Sequence, residues 1–285
     1  MNQRNARLLL LLVFAARGTS FLFSKNLMQD MDPVGILAVR FIMAFLILAA
    51  VFCRKLVHLS RDSLHGGIIL GILYTVCMIL EMYGLRLVDT GVSALIENMV
   101  IVVVPLYTAV LTRTMPKAIT MFCAILAVTG VGFLSISQTR GESGHLGMLL
   151  IILAAISYSF CIMATESVSR DSDPVAVGII QLGVMGMLSL IISLFTGNLS
   201  LPENTRDWAM MLMLVLICSC FGFAFQPLGQ KYLPAETAAV YTVINPLTAS
   251  IMGILIAHEG MSVSKLIGYV LIFAALIIYN MKAAK

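Results

Sequence analysis

Long apolar stretches recur along this chain, and each is separated from the next by a short polar stretch. An α-helix rises about 1.5 Å per residue, so about 20 apolar residues span the roughly 30 Å hydrocarbon layer of a membrane. The stretches of this length are approximately Leu8–Met28, Pro33–Phe52, Leu64–Leu85, Val92–Thr112, Ala118–Ile136, Leu146–Thr165, Pro174–Phe195, Trp208–Leu228, Thr237–Ala257 and Val263–Tyr279. The pattern therefore predicts an all-α integral membrane protein with ten transmembrane helices.

One strong charge interrupts the first apolar stretch near its middle. Arg17 lies roughly 14 Å along the helix from Leu8, where a charge costs at least ~2.5 kcal/mol. We therefore expect Arg17 to face a polar cavity or a partner. The stretch also resembles a secretory signal peptide, because Arg4 and Arg7 precede a leucine run. The apolar pattern resumes after Arg17 and has a counterpart later in the chain, which favours a permanent first helix.

The composition agrees with a membrane protein. Hydrophobic residues make up 60% of the chain and charged residues 11%, with a mean hydropathy of +1.01, whereas soluble domains hold ~45–50% apolar and ~25% charged residues. The net charge of +4 needs no nucleic-acid partner, because basic residues collect in cytoplasmic loops. The six cysteines form no C-x-x-C pair, so we predict neither a disulfide framework nor a zinc site, and no cofactor.

The distribution of Lys and Arg predicts the orientation in the membrane. With the N-terminus inside, the cytoplasmic residues are Arg4, Arg7, Arg54, Lys55, Arg61, Arg113, Lys117, Arg170, Lys231, Lys282 and Lys285. The residues on the opposite side are Arg86, Arg140, Arg206 and Lys265. This bias of eleven to four places both termini in the cytoplasm, with the chain in a bacterial-type cytoplasmic (inner) membrane.

The second half of the chain repeats features of the first half. The matches are Asp32-Pro33-Val34 with Asp173-Pro174-Val175 at an offset of 141, and Arg61-Asp62 with Arg206-Asp207 and Gly84 with Gly229 at an offset of 145. Each half holds five predicted helices, and an odd number inverts the second copy across the membrane. We therefore predict two inverted repeats, residues 1–137 and 146–285, around a central cavity. Such repeats are characteristic of secondary transporters.

Polar residues inside the predicted helices are candidate ligands for a solute. In the first half they are Arg17, Ser20, Arg40, Glu81, Glu97 and Asn98. In the second half they are Tyr158 and Gln181, the repeat equivalents of Arg17 and Arg40, with Tyr241 and Asn245 of the ninth helix. Pro246 removes a helix hydrogen bond next to Asn245, which leaves carbonyl groups for a solute. The set predicts a polar cavity for a charged or zwitterionic solute, or alternatively structural ion pairs and interhelical hydrogen bonds.

The candidate residues suggest different roles. Arg17, the deepest charge, would bind a carboxylate of the substrate or supply the charge of the cavity. Glu81 or Glu97 would be its partner or a protonatable coupling group, so protons are a candidate coupling ion. Tyr241 and Asn245 would add polar contacts from the second repeat.

Three short motifs resemble those of one known family. They are Arg17-Gly18-Thr19-Ser20-Phe21 with a later Lys25, Ala38-Val39-Arg40-Phe41 after an Asp-Pro pair, and Asn245-Pro246 followed by Leu255-Ile256-Ala257-His258-Glu259 and Gly268. They are similar to motifs of the drug/metabolite transporter superfamily, in its EamA-type ten-helix branch. The resemblance implies ten helices around a central cavity and the movement of small metabolites, often amino acids, commonly outward. Arg17 stands where that family commonly has Trp, and His258 where it has Gly. Residues 112–116 lack its usual Glu after the fourth helix.

The sequence thus predicts a secondary transporter that exports or exchanges small polar metabolites, such as amino acids or related compounds, across a lipid bilayer. No nucleotide-binding P-loop is present, which opposes direct coupling to ATP. One alternative is a membrane receptor or assembly factor that transports nothing. Another is an intramembrane enzyme, which the chain opposes because it has no H-E-x-x-H, no G-x-S-x-G and no paired intramembrane aspartates.

Overall fold

The computed structural model describes residues 1–57, 59–111, 113, 118–138, 142–256, 258 and 260–283. Over these residues the secondary structure is helical and contains no strand. The helices are α1 (Gln3–Gly18), α2 (Ser20–Leu27), α3 (Pro33–Val51), α4 (Cys53–Val57), α5 (Arg61–Leu87), α6 (Thr90–Glu97), α7 (Val100–Leu111), α8 (Ala118–Gln138), α9 (Glu142–Asp171), α10 (Pro174–Thr196), α11 (Thr205–Met213), a π-helical segment (Leu214–Phe223), α12 (Gln226–Gln230), α13 (Ala235–Tyr241), α14 (Ile244–Leu255) and α15 (Val263–Ala283).

Eight helical stretches within the described residues are long and apolar enough to cross a membrane. They are α1 with α2, α3, α5, α6 with α7, α9, α10, α11 with the π segment and α12, and α13 with α14. In the places of the fifth and tenth predicted helices, α8 and α15 contain the shorter apolar stretches Met121–Gly130 and Val263–Ala275. The chain is therefore a multi-pass membrane protein, and the count of ten spans stays a prediction.

Two Asp-Pro pairs start α3 and α10 in the same way. The Asp32 carboxylate accepts a hydrogen bond from the Val34 N–H at 3.0 Å, and the Asp173 carboxylate accepts one from the Val175 N–H at 2.9 Å. In each helix proline occupies the first turn, where its missing N–H costs nothing. These caps fix the starts of two helices that pack against each other.

Glycine brings α5 close to α10. A Cβ atom added at Gly67 would lie 2.6 Å from Ile180, and one at Gly71 would lie 2.5 Å from Val184. Small residues let membrane helices approach closely where little else drives their association. The Gly67-x-x-x-Gly71 spacing therefore packs the first half of the chain against the second.

Several membrane-spanning stretches are interrupted in their interior. Helix α1 ends just before Thr19, α6 and α7 are separated at Asn98, and α13 and α14 are separated at Thr242 and Val243. At the last break the backbone N–H of Asn245 donates to the carbonyl of Thr242 at 2.9 Å, because Pro246 has no N–H to offer that carbonyl. The sequence predicted the lost hydrogen bond at Pro246 but not the breaks at Thr19 and Asn98. Such breaks are tolerated at membrane depth only within protein or beside a cavity.

Candidate functional site

A small cavity lies where these interrupted helices meet. Its lining residues are Arg17, Ser20, Phe21, Met78, Glu81, Glu97, Phe223 and Asn245. They come from α1, α2, α5, α6, the π segment and α14, so both halves of the chain contribute. The volume is about 10 Å³, which is room for about one water molecule. The cavity must therefore widen before it can hold a metabolite.

Arg17 is buried at the junction of the two halves. Its Nη1 donates hydrogen bonds to the Tyr158 hydroxyl at 2.8 Å and to the Gln226 side-chain oxygen at 2.5 Å. Its guanidinium carbon lies 4.0 Å from the centroid of the Phe223 ring and 4.8 Å from that of the Tyr158 ring. Cation–π contacts and hydrogen bonds to a desolvated cation both stabilise the buried charge. Residues of the second half therefore position Arg17 of the first.

A second group of polar side chains holds Gln226 in place. Its amide nitrogen donates to the Tyr74 hydroxyl at 2.9 Å and to the Gln230 side-chain oxygen at 2.9 Å. Gln230 in turn donates to the carbonyl of Ile162 at 3.1 Å. Because both N–H groups of the Gln226 amide are engaged, its oxygen is left to accept from Arg17. The network therefore orients the Gln226 side-chain oxygen toward the Arg17 guanidinium.

Two carboxyl groups line the opposite part of the cavity. Glu81 of α5 and Glu97 at the end of α6 are both buried, and their side chains are hydrogen-bonded to each other. An ionised carboxylate offers only acceptors, so a hydrogen bond between two carboxyl groups requires a proton on one of them. One proton shared between the two carboxyl groups would satisfy this contact, and the pair interacts electrostatically with Arg17.

Arg40 forms a second buried guanidinium near the cavity. Its Nε donates to the Ser219 hydroxyl of the π segment at 2.7 Å. Among the described residues, neither Nη1 nor Nη2 of Arg40 has a hydrogen-bond partner. Its guanidinium carbon lies 5.7 Å from the centroid of the Phe223 ring, so that ring is close to both arginines.

The family model described as the EamA-like transporter family matches residues 5–136 and residues 145–281 of the chain. The chain belongs to the EamA-like transporter family. The resemblance found in the sequence motifs is thereby confirmed, and the protein is a membrane transporter by family.

Ala257 and Glu259 of the third motif lie outside the described residues, as do Thr112, residues 114–116, and Lys117, Arg140 and Lys285 of the orientation count.

Two relatives of this EamA-like transporter carry the same general name. The uncharacterized transporter YwfM of Bacillus subtilis is 22% identical over 165 residues, which cover 58% of this chain and 55% of that protein. The chain thus matches about half the length of that relative. An uncharacterized transporter of Archaeoglobus fulgidus is 22% identical over 263 residues, covering 92% of this chain and 91% of the relative. Neither name specifies a solute.

A crystal structure of another protein shares the fold of this EamA-like chain. The two superpose with a TM-score of 0.71 over 99% of each chain, at 14% sequence identity. At that identity the likeness concerns the fold alone. It supports the arrangement of the helices that bring the cavity residues together.

The structure separates the predicted site residues of this EamA-like transporter into two groups. The group that lines the cavity or contacts Arg17 consists of Arg17, Ser20, Glu81, Glu97, Tyr158 and Asn245. The group outside the cavity consists of Arg40, Asn98, Gln181 and Tyr241. Of these, Asn98 follows Glu97 directly at the helix break and is buried, Gln181 is buried in α10, and Tyr241 is half-buried at the end of α13.

Three cavity neighbours were missed in the sequence. Tyr74, Phe223 and Gln226 surround the Arg17 guanidinium or the side chains that hold it. The repeat offset of 145 pairs Glu81 with Gln226, which was the one signal that pointed to Gln226. The two aromatic residues carried no signal, because aromatic residues are common throughout apolar helices.

One departure from the family pattern has a backbone cause. His258 has a φ angle of 51°, in the left-handed region that favours glycine. The family commonly has Gly at this position, and Gly adopts such an angle without steric cost. His258 therefore holds a backbone conformation that glycine adopts more easily.

Polar contacts join helices of both halves at one end of the cavity. Lys265 at the start of α15 lies with its Nζ 2.8 Å from an Asp89 carboxylate oxygen. Lys25 of α2 lies 4.0 Å from the same carboxylate and donates to the carbonyl of Val88 at 2.7 Å. Asp89 thus connects α2 with α15 in this EamA-like transporter.

At the opposite end a second ion pair joins the two halves. The Lys55 ammonium donates to the Asp173 carboxylate at 2.7 Å, and the Asp173 N–H donates to the Ser63 hydroxyl at 3.1 Å. Burial opposes the charged form of Asp173, but the Lys55 ammonium and two backbone N–H groups outweigh it and lower the pKa of Asp173. The Asp173 carboxylate therefore stays charged at neutral pH, and the ion pair joins the two halves of the chain at this end of the molecule.

Proposed function

We propose that this chain is a secondary transporter that exports or exchanges a small polar solute carrying a carboxylate, such as an amino acid or a related compound. The observation that carries the proposal is the cavity itself. Arg17, held by Tyr158 and Gln226, faces a buried carboxyl pair where helices of both halves meet. A buried cation beside acceptors suits a solute with a negative group and hydrogen-bond donors.

Two inverted repeats, residues 1–137 and 146–285, would supply the movement, with ten helices in total. The two separate matches of the family model support this division, as do the identical Asp-Pro caps of α3 and α10. Rocking of one repeat against the other would break the Lys55–Asp173 contact or the Lys265–Asp89 contact in turn.

A larger cleft supplies a candidate entrance. It has a volume of about 350 Å³ and lies at the end of the molecule that also holds Asp173. Its lining residues are Thr108, Met163, Glu166, Ser167, Arg170, Pro234, Ala235 and Glu236. Glu166 accepts hydrogen bonds from Arg170 and from the first backbone N–H of α13. Seven of its eight lining residues belong to the second half and one, Thr108, to the first.

Flux through the purified protein tests this proposal. Proteoliposomes should show saturable movement of at least one carboxylate solute in a panel of amino acids and dicarboxylates, compared with neutral nucleosides and cationic drugs. Protein-free liposomes are the control. If the folded protein moves none of these solutes, the chain is a receptor or assembly factor instead, or an intramembrane enzyme if it turns one of them over.

The proposed orientation has both termini in the cytoplasm of the inner membrane. Arg54 follows the second membrane helix and Arg206 precedes the eighth, so single cysteines at these positions report opposite sides in a cysteine-free background. An impermeant thiol reagent added to whole cells should label the cysteine at position 206 and spare that at position 54. Labelling of position 54 alone would reverse the orientation.

A further inference from the structure

We propose that Arg40 binds an anionic group of the solute while the Glu81–Glu97 pair holds one proton, so that the anion and the proton bind together. This inference rests on the proposed transport function and deepens it. It adds a second subsite beyond Arg17 and assigns the coupling ion. Arg40, the carboxyl pair and the Phe223 ring between the two arginines carry the argument.

Arg40 is a buried cation with four of its five N–H donors unused among the described residues. Its side chain is 0% exposed, Ser219 holds Nε, and neither Nη atom has a partner among the described residues. A buried charge without partners costs several kcal/mol. The two Nη groups of a guanidinium form a fork that matches the two oxygens of a carboxylate. Arg40 is thus built to accept an anion.

The cavity leads toward Arg40 through one side chain. Phe223 lines the cavity, and its ring centroid lies 4.0 Å from the Arg17 guanidinium carbon and 5.7 Å from that of Arg40. Widening the cavity by moving this ring therefore exposes the second guanidinium to a solute already next to the first. Asn245, whose buried Oδ1 lacks a partner among the described residues, offers an acceptor in the same cavity.

The charges of the cluster explain why the anion and the proton are linked. Arg17 and Arg40 contribute two positive charges and the carboxyl pair, with its shared proton, contributes one negative charge, which leaves a net charge of +1. A bound monoanion makes the cluster neutral. Loss of the shared proton also makes it neutral. Since net charge is costly at membrane depth, an anion binds more tightly while the pair holds its proton than after the proton is lost.

The other titratable groups around the carboxyl pair do not act as the site of the coupled proton. Those that interact with it are Arg17, Arg40, Cys77, Tyr158 and Cys161. Arginine stays charged at any relevant pH, and thiols and phenols are ordinarily neutral at pH 7. Between about pH 5 and 8 the carboxyl pair is therefore the member of the cluster whose charge changes.

Calorimetry with the full chain in nanodiscs tests the linkage directly. The probes are acetate, L-glutamate, succinate and inorganic phosphate, each titrated in two buffers of different ionisation enthalpy to count the protons taken up per bound anion. The number of protons taken up per bound anion should rise from near zero at acidic pH toward one at alkaline pH. Over the same range anion affinity should fall by about tenfold per pH unit, because binding of anion and proton is reciprocal.

Three variants separate this linkage from general damage. Glu97→Gln imitates a permanently protonated pair, so it should bind the anion with no proton uptake and no pH dependence. Arg40→Gln should lose anion binding at least about tenfold without a lower melting temperature, because it removes a buried charge whose two Nη groups have no hydrogen-bond partner among the described residues. Asp30→Asn, at an exposed carboxylate, should leave proton uptake unchanged.

The outcomes distinguish this inference from the proposed function. Binding without proton uptake, uptake that persists in Glu97→Gln, or no binding of any probe overturns the inference. Tetraethylammonium binding with proton release would also overturn it, in favour of cation–proton antiport. Solute flux in liposomes that lacks pH dependence contradicts the linkage alone, whereas absence of all flux contradicts the transporter.

Discussion

Replacing Arg17 by alanine should reduce solute flux by at least about 100-fold while the protein still inserts and folds. The change removes two hydrogen bonds and the stacking on Phe223, and breaking a buried hydrogen-bonded charge costs about 2–5 kcal/mol in binding. Each 1.36 kcal/mol is a factor of about ten in rate. Insertion is not at risk, because alanine removes an expensive charge from the first membrane helix.

The same helix offers a matched control. Arg7→Ala removes an exposed arginine near the start of α1 and should leave flux unchanged in the same liposome assay. Arg17→Lys keeps the charge but loses the planar guanidinium that lies over Phe223, so it should restore little of the flux. Wild-type flux in Arg17→Ala would make Arg17 a packing residue and would move the site elsewhere.

Replacing Gly178 by alanine should destabilise the folded protein by about 3 kcal/mol, because overpacking against a rigid neighbour is poorly relieved. A Cβ atom at Gly178 would overlap the carbonyl oxygen of Ala224 and lie 2.9 Å from its Cα. These are backbone atoms, so no side-chain rotation relieves the contact. Ala224 leads from the π segment into α12, which begins with Gln226, so the shift would also pull Gln226 away from Arg17.

A glycine in open space provides the comparison for this stability test. No described atom lies within 4 Å of a Cβ added at Gly132 of α8, so Gly132→Ala should change stability by less than about 1 kcal/mol, toward a more stable helix. The melting temperatures of the two variants in detergent, measured beside the wild type, check this. Equal melting temperatures would show that α10 does not press on Ala224.

Much of the architecture follows from apolar length and from the cost of a buried charge. Eight of the ten predicted spans appear as apolar helices of sufficient length, since a helix satisfies all backbone hydrogen bonds of an apolar segment within that segment. The same cost argument placed Arg17 against polar partners, and Tyr158 and Gln226 are those partners. A single charged residue in an apolar stretch predicts its neighbours, because a buried charge is stable in few environments.

The breaks and the neutral ligands could not be predicted in the same way. Nothing but the proline at position 246 marked an interruption, and Asn98 is one of many poor helix formers. Gln181 was predicted at the cavity as the repeat equivalent of Arg40, but it is buried in α10 and is not among the residues that line the cavity. The sequence offset between the repeats predicts how far along a helix a residue lies, whereas helix packing decides which way its side chain faces.

The π segment allows the membrane stretch that contains it, Thr205–Gln230, to change its helical winding. Its N–H groups bond five residues back instead of four, over ten residues from Leu214 to Phe223, whereas most π turns occur singly. If one of these turns changed to α geometry, everything beyond it would rotate by about 100° and advance by about 1.5 Å. Phe223 and Gln226 would swing around the helix axis as one unit. A local change of winding would then uncover Arg17 without unfolding the helix.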